Sequence, residues 1–274
     1  MVALRSLARP LISWVQARFR SCPKLRHLMV ETFEEFDSTV VVDGRGGKPI
    51  LLHVTSRMEN QRATGFFNKE PDTIAWLDQL QPGDLFLDVG ANIGVYSLYA
   101  AVHRGASVVA FEPESQNFAA LNRNIHRNGL AGAVVAFPLA ASDEAGPTEL
   151  HLSSFATGQS HHSAHAPVGE GGVVFRPVFV QGTLALTSDE AMARIAPDKT
   201  PRFVKIDVDG NEARVLGGMT ALLANPKLEQ VLVELSNGDP ALIAMMEQAG
   251  FEVRRPDHTY GGRGNHIFVR KEAR

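Results

Sequence analysis

Lys205, Asp207 and Asp209 alternate with two apolar residues in the run FVKIDVDGNE. Side chains of a strand point alternately to its two faces, so these three share one side while the strand lasts. Three such groups on one side of a central strand are costly unless they are paired or face a site. Asp207 is the first candidate for a reaction-centre carboxylate, as general base or as orienter of a substrate or cofactor amine. The plainer alternative is a buried Lys205–Asp207 network that only shapes the strand end. Glu234 closes the next apolar run, LEQVLVEL, and Asn237 lies in the turn after it. Asp207, Asp209, Glu234 and Asn237 could gather a divalent cation through oxygens. Carboxylates can also place a hydroxyl or a charged substrate unaided, and no metal is expected. Glu212 reads as an ordinary acid at a helix start.

A second group of candidates lies in HHSAH. His161, His162 and His165 follow His151 in a Ser-, Gly- and His-rich stretch without a nearby cysteine, so a solvated loop is favoured over a metal tract. His161 or His162 could still swing over a substrate as a base, because imidazole titrates near neutral pH. His126, beside Arg123 and Arg127 in a helical pattern, reads as surface.

The nucleotide-type signal is DLFLDVGANIG. Asp88 ends an apolar strand, Gly90 and Gly94 bracket a turn, and Asn92 opens a helix whose first N–H groups are unpaired. Glycine suits a positive φ or a close backbone approach by a ligand. A dinucleotide fingerprint would need glycine where Asn92 stands, so an NAD(P)-dependent oxidoreductase is only an alternative reading. Glu112 ends the following strand about 20 residues on, where an acid can hold ribose hydroxyls. Ser142 and Asp143 follow the third strand, where an acid could accept from an adenine amino group.

These residues need an open sheet to position them. DLFLDV, SVVAFE and AVVAFPLA read as strands separated by the helices NIGVYSLYAAVHR and ESQNFAALNRNIHRN. RFVKIDV, LEQVLVEL, GFEVRR and NHIFVR add four more strands, with helix in ALLAN and PALIAMMEQAG. The alternation predicts a mostly parallel sheet covered on both faces. Upstream, STVVV and KPILLHV flank DGRGG as a hairpin, and PDTIAWLDQL reads as a helix. The division expected is 1–80, an N-terminal helical and hairpin extension packed on the core, and 81–274, the catalytic domain. An insertion near 142–182 leaves the sheet at the carboxyl edge, where ligands bind. It reads as a lid over the second substrate, with Phe155 and Phe175 as apolar contacts, or as a surface loop.

Four stretches in order, FLDVGANIGVYSLYAA, VVAFEPESQNFAALNRNIHRNG, FVKIDVDGNEARVLGG and NHIFVR, resemble the FkbM family of S-adenosylmethionine-dependent O-methyltransferases over about residues 84 to 270. The resemblance implies a Rossmann-like class I methyltransferase fold of seven strands, the last antiparallel, with S-adenosylmethionine over the first two. It implies that Asp88, Gly90, Asn92 and Gly94 contact the amino-acid and ribose parts of the cofactor, that Glu112 holds the ribose, and that Ser142 and Asp143 lie near the adenine. A pocket position for Asn265, beside His266, also follows the family pattern. The family commonly has Glu where DVDG has Asp209, and often Asp where TLALTSD has Ala185. Its acceptors are hydroxyls of macrolides, sugars, lipids and other small molecules.

Composition sets outer bounds. A formal net charge of −3 over 274 residues gives no support to a nucleic-acid partner, which counts against an RNA methyltransferase. The single cysteine, Cys22, suits a reducing, cytoplasmic compartment. No apolar run is long enough for a transmembrane helix. Before the first acid, Glu31, lie Arg5, Arg9, Arg18, Arg20, Lys24 and Arg26, interleaved with Leu11, Ile12, Trp14, Val15 and Phe19. This stretch reads as a helix lying on the domain, a lid, or a weak membrane-surface contact.

Overall fold

A computed structural model describes residues 2–35, 38–42, 47–169, 172–236, 239–254 and 263–271. The chain divides into two units, Met1–Thr39 and Val40–Arg274. The first holds two helices in contact with each other, α1 (Val2–Ser21) and α2 (Pro23–Glu35). The stretch 40–80, expected as part of an extension, is counted with the core. The strands of the upstream hairpin are β1 (Thr39–Val42) and β2 (Ile50–His53), which form a two-stranded sheet. Most of their turn, 43–46, lies outside the described residues.

Two helices follow, α3 (Arg57–Lys69) and α4 (Pro71–Leu77). Then β3 (Leu85–Val89), α5 (Val95–Arg104), β4 (Ser107–Phe111), α6 (Ser115–Arg127) and β5 (Val134–Phe137) build one half of the main sheet. A second, four-stranded sheet contains β6 (Leu139–Ala141), β7 (Gly146–Leu152), β8 (Ser163–Ala164) and β9 (Phe179–Leu186), in the order β6-β9-β7-β8. The chain returns through α7 (Ser188–Ile195), β10 (Phe203–Ile206), α8 (Glu212–Gly217), α9 (Thr220–Ala224), β11 (Gln230–Ser236), α10 (Pro240–Gln248), β12 (Phe251–Arg254) and β13 (Arg263–Arg270).

The main sheet has seven strands in the order β12-β13-β11-β10-β3-β4-β5. β13 runs antiparallel to both of its neighbours, and the other pairs are parallel. The expected Rossmann-like class I sheet, last strand antiparallel, is present. Its strands read as continuous apolar runs because successive residues feed two cores. Phe86, Val108, Ala110 and Phe203 enter the core under α3, α4, α5 and α6. Leu87, Val109, Phe111, Val204 and Ile206 enter the core under α7, α8, α9 and α10.

Two expectations need correction. AVVAFPLA is not one strand. It breaks at Pro138, which lacks a donor for the ladder, and β6 joins the second sheet. The insertion is not all loop before VVFRPVFVQG, the part of it that reads as β, for β7 pairs antiparallel with β9 from Gly146↔Ala185 to Leu152↔Phe179. α3 has a local start signal of its own. Ser56 accepts from the Glu59 N–H while Glu59 accepts from the Ser56 N–H, a capping box legible as Ser-x-x-Glu.

Candidate active site

The turn after β3 is held to β4, since the N–H groups of Gly90 and Ala91 both donate to the Phe111 carbonyl, at 2.9 and 3.0 Å. Gly90 has φ 81°, and a Cβ on it would lie 1.9 Å from the Asp207 carbonyl oxygen. The glycine therefore lets the loops after β3 and β10 cross at close range. Gly94, at φ 88°, serves helix packing in the same way, with a Cβ falling 2.3 Å from the Leu121 side chain. In both cases the close neighbour is protein.

Between them Asn92 takes φ 52° and donates its N–H to Glu112 Oε2 at 2.7 Å. The Glu114 N–H donates to Glu112 Oε1 at 2.8 Å. Glu112 is buried, and burial pushes its carboxyl up to about 8, against the pull of those two N–H groups. Asp88 is buried beneath the same turn. Ser97 donates to its Oδ2 at 2.6 Å, and its Oδ1 has no hydrogen-bond partner among the described residues. Burial raises the Asp88 carboxyl, with Lys205 opposing.

A cavity of about 840 Å³ opens at the carboxyl ends of the main strands. Gly90, Asn92 and Glu112 line it from the cofactor-type turn, and Lys205, Asp207, Asp209 and Glu234 from β10 and β11. His161, His162 and Asn265 also line it. Asp88, Gly94, Ser142, Asp143 and His165 do not. Ser142 Oγ instead lies 2.9 Å from His165 Nε2, and Asp143 pairs with Arg214. Asn237 lies outside the described residues. His126 is exposed, and His266 is buried off the cavity.

A third wall, which no motif announces as a site, completes the cavity. Arg62 from α3, and Glu70, Lys69 and Thr73 around the α3–α4 junction, face the same space, as does Tyr96 of α5. Tyr96 donates to Glu70, and Asn265 Nδ2 reaches Glu70 Oε2 at 3.0 Å. Burial works against the Glu70 charge, but Lys69 and Lys205 hold its carboxyl below the ordinary value. Only the Ser56 capping box signalled this wall, and it signals a helix start rather than a site.

Lys205, buried on β10, sets the electrostatics of the reaction end. Its Nζ is 2.8 Å from Asp207 Oδ2 and 5.1 Å from the Tyr96 ring centre. Burial opposes its charge, but Asp207, Asp88 and Glu70 outweigh that and hold it above the ordinary lysine value. Burial likewise works to raise Asp207, yet Lys205 and a hydrogen bond with Glu234 hold it well below the usual carboxylate range. Oxygens of Asp207, Asp209 and Glu234 lie within 4.8 Å of one another. Glu212, buried and accepting from the Gly210 N–H, is pushed by burial to about 7.

The insertion loop between β7 and β8 crosses this space as a strap. Asn92 Nδ2 and Asn117 Nδ2 both donate to the Gln159 carbonyl, at 2.8 and 3.1 Å. The Gly158 N–H donates to Asn117 Oδ1 at 2.7 Å, and Arg62 Nε donates to the Gly158 carbonyl at 2.6 Å. Two residues on, the His161 N–H donates to Asp209 Oδ2 at 2.7 Å, and its Nδ1 lies 3.2 Å from Asp209 Oδ1. His162 is oriented differently. Its Nδ1 accepts from the Ser153 N–H at 3.3 Å, while its Nε2 is buried without a hydrogen-bond partner among the described residues. Burial lowers its pKa.

A seven-stranded sheet of this order, with a glycine turn after β3 and a buried acid closing β4, defines a class I S-adenosylmethionine-dependent methyltransferase. The methyltransferase FkbM domain family matches residues 88–253, and the chain belongs to that family. The enzyme is an S-adenosylmethionine-dependent methyltransferase. It is 32% identical over 200 residues to 31-O-demethyl-FK506 methyltransferase FkbM of Streptomyces tacrolimicus, covering 64% of this chain and 75% of that protein. It is 28% identical over 165 residues to the hexuronic acid methyltransferase AglP of Haloferax volcanii, covering 60% of this chain and 61% of that one. Among solved structures, it is similar to a SAM-dependent methyltransferase from Agrobacterium tumefaciens, with a TM-score of 0.49 and 13% identity over 86% of this chain and 71% of that one.

The residues present fit the cofactor. Each Glu112 oxygen receives a single backbone N–H, so both keep acceptor capacity at the cavity wall, and ribose hydroxyls would supply the missing donors. The cavity falls in the range typical of small-molecule sites.

Proposed function

We propose that the enzyme methylates a hydroxyl of a small polar acceptor, such as a sugar or polyketide-type molecule, with His161 as general base. When bound, S-adenosylmethionine supplies an electrophilic methyl group and departs as S-adenosylhomocysteine. Glu112 would hold the ribose and the Asn92 turn would face the amino-acid part. The observation that carries the reading is the His161–Asp209 pair on the wall of the same cavity. A carboxylate against Nδ1 keeps the imidazole proton there, the tautomer that a base acting through Nε2 on the acceptor's hydroxyl requires. His162 carries the opposite tautomer, because its Nδ1 accepts from a backbone N–H. Its Nε2–H is a donor for a bound ligand, and a poor base. Asp207 is held too acidic by Lys205 to abstract a proton from an alcohol, so its role is to orient. The two relatives, named for methylation of 31-O-demethyl-FK506 and of a hexuronic acid, support a hydroxylated acceptor of this kind. The test is incubation with S-adenosylmethionine and panels of sugars, uronic acids and hydroxylated macrolides, with mass spectrometry of the products. A methyl ether is expected. Methylation confined to nitrogen or carbon acceptors would overturn the reading.

A further inference from the structure

The first 30 residues hold Arg5, Arg9, Arg18, Arg20, Lys24 and Arg26 and no acid, on a chain whose formal net charge is −3. The remainder is therefore more negative than the whole, and the cations are concentrated on α1 and the start of α2. Leu11, Ile12 and Trp14 of α1 are 63%, 52% and 60% exposed, although apolar. At about 100° per residue, Leu11, Trp14 and Val15 share one side of the helix with Arg18 between them, and Ser13, Gln16 and Arg20 share the other. Arg18 lies over the Trp14 ring, 5.7 Å from its centre. Leu28 and Val30 of α2 are exposed as well.

We propose that α1 docks in the plane of an anionic lipid surface. Trp14 and Leu11 enter the headgroup boundary, and Arg18, Arg20 and Lys24 meet lipid phosphates. An amphipathic helix rich in Arg and carrying Trp has the chemistry of an interfacial helix. No described helix is long and apolar enough to cross a membrane, so α1 lies on the surface. RNA would engage the cations but leave Leu11, Ile12 and Trp14 in water. A second copy of the helix would bring like charges together with no acid between them. Each cation near an anionic bilayer raises partitioning roughly fivefold at low salt.

The full chain is tested by co-sedimentation with vesicles of phosphatidylcholine alone and of phosphatidylcholine mixed with phosphatidylglycerol. Binding is expected to the mixed vesicles only, weakening with added salt. The Trp14 emission should shift to the blue on binding, whereas Trp76 is already buried. Trp14→Glu should lower partitioning at least tenfold, and Arg18→Glu with Arg20→Glu by more than that, with S-adenosylhomocysteine affinity unchanged in both variants. Absence of binding to the mixed vesicles, equal binding by Trp14→Glu, or an unshifted Trp14 emission would each overturn the proposal. So would tighter binding of an RNA oligonucleotide at the same salt, or a stable dimer that Trp14→Glu dissolves.

Discussion

His161 and Asp209 are joined twice, through the backbone N–H at 2.7 Å and through ring Nδ1 at 3.2 Å. Both residues adopt positive φ, 62° and 53°, so the strap and the loop after β10 bend toward each other to make the pair. The carboxylate fixes where the imidazole sits and favours a proton on Nδ1. His161→Gln is expected to lower kcat by about 10²–10⁴, the usual worth of a general base, with S-adenosylhomocysteine affinity little changed. Asp209→Asn should lose less, because the ring stays in place with its tautomer no longer fixed. A His161→Gln enzyme with wild-type kcat would exclude His161 as the base.

Glu112 should make cofactor binding depend on pH. Burial holds its carboxyl near 8 in the folded protein, against an ordinary value of 4.5. Between those values the folded state keeps a proton that the unfolded chain has released, so this group's contribution to stability falls as pH rises from about 4.5 to about 8. Ribose hydroxyls held by Glu112, as proposed, would donate to the charged form, so binding would release that proton. S-adenosylhomocysteine affinity is expected to rise with pH toward 8, by about tenfold per unit at most. Glu112→Gln should flatten both trends. Calorimetry in buffers of different ionisation enthalpy checks the proton release, and equal affinity at pH 6 and pH 8 in the wild type would refute the linkage.

The main sheet was legible because parallel strands covered on both faces are apolar throughout and each is bounded by a turn residue. Leu85 to Val89 and Ser107 to Phe111 are strong examples. The site's strand-end residues followed from the same pattern, since Glu112, Asp207 and Glu234 each close an apolar run at the carboxyl edge. What comes from tertiary contact was not legible. The pairing of β7 with β9 closes across 26 intervening residues that include the strap, with only weak alternation to announce it. The Glu70–Asn265 contact joins residues 195 apart. The cause of Gly90 was also out of reach, because the approaching atom belongs to Asp207.

That approach gives a prediction about folding. Gly90→Ala places a Cβ 1.9 Å from a backbone oxygen at a residue with φ 81°. The β3 and β10 loops would have to separate, at about 3–5 kcal/mol. Gly129→Ala is the control, with φ 67° but nothing within 4 Å of its Cβ, and should cost about 1–2 kcal/mol. Urea denaturation of both variants measures the difference. Equal midpoints would show that strain at positive φ, and no contact with Asp207, governs Gly90.

Turnover should survive chelation. The oxygens of Asp207, Asp209 and Glu234 are close enough to share a cation. However, Asp207 is already paired with the buried Lys205 ammonium, and both Asp209 oxygens are engaged by His161. A divalent ion would have to displace those partners. The measurement is methyl transfer after exhaustive treatment with EDTA, with and without added magnesium. Activity lost to EDTA and restored by magnesium would make the three carboxylates ligands.

The strap should matter to cofactor and acceptor together. Replacing Gly158 to Gly169 by a short Gly/Ser linker tests whether the insertion is separable from the cofactor turn. The structure ties the two. Asn92, in the cofactor turn, donates to the Gln159 carbonyl, and Asn117 of α6 both donates to that carbonyl and accepts from Gly158. Arg62 holds the Gly158 carbonyl from the opposite wall. The linker would remove these bonds, each worth about 0.5–1.5 kcal/mol net, and would leave the Asn92 and Asn117 amides to water. It would also remove His161 and His162. S-adenosylhomocysteine affinity is therefore expected to fall about tenfold or more, and turnover to fall further, since the loss of His161, the proposed base, adds to the loss of the cradle. Gln159→Pro is not informative here, because the shared contact is a backbone carbonyl. Asn92→Ala combined with Asn117→Ala removes the tether without touching His161, and should weaken cofactor binding while leaving most of kcat at saturating cofactor. If the linker variant binds S-adenosylhomocysteine as tightly as the wild type, the strap serves the acceptor alone and the bonds to Asn92 and Asn117 do not support the cofactor turn.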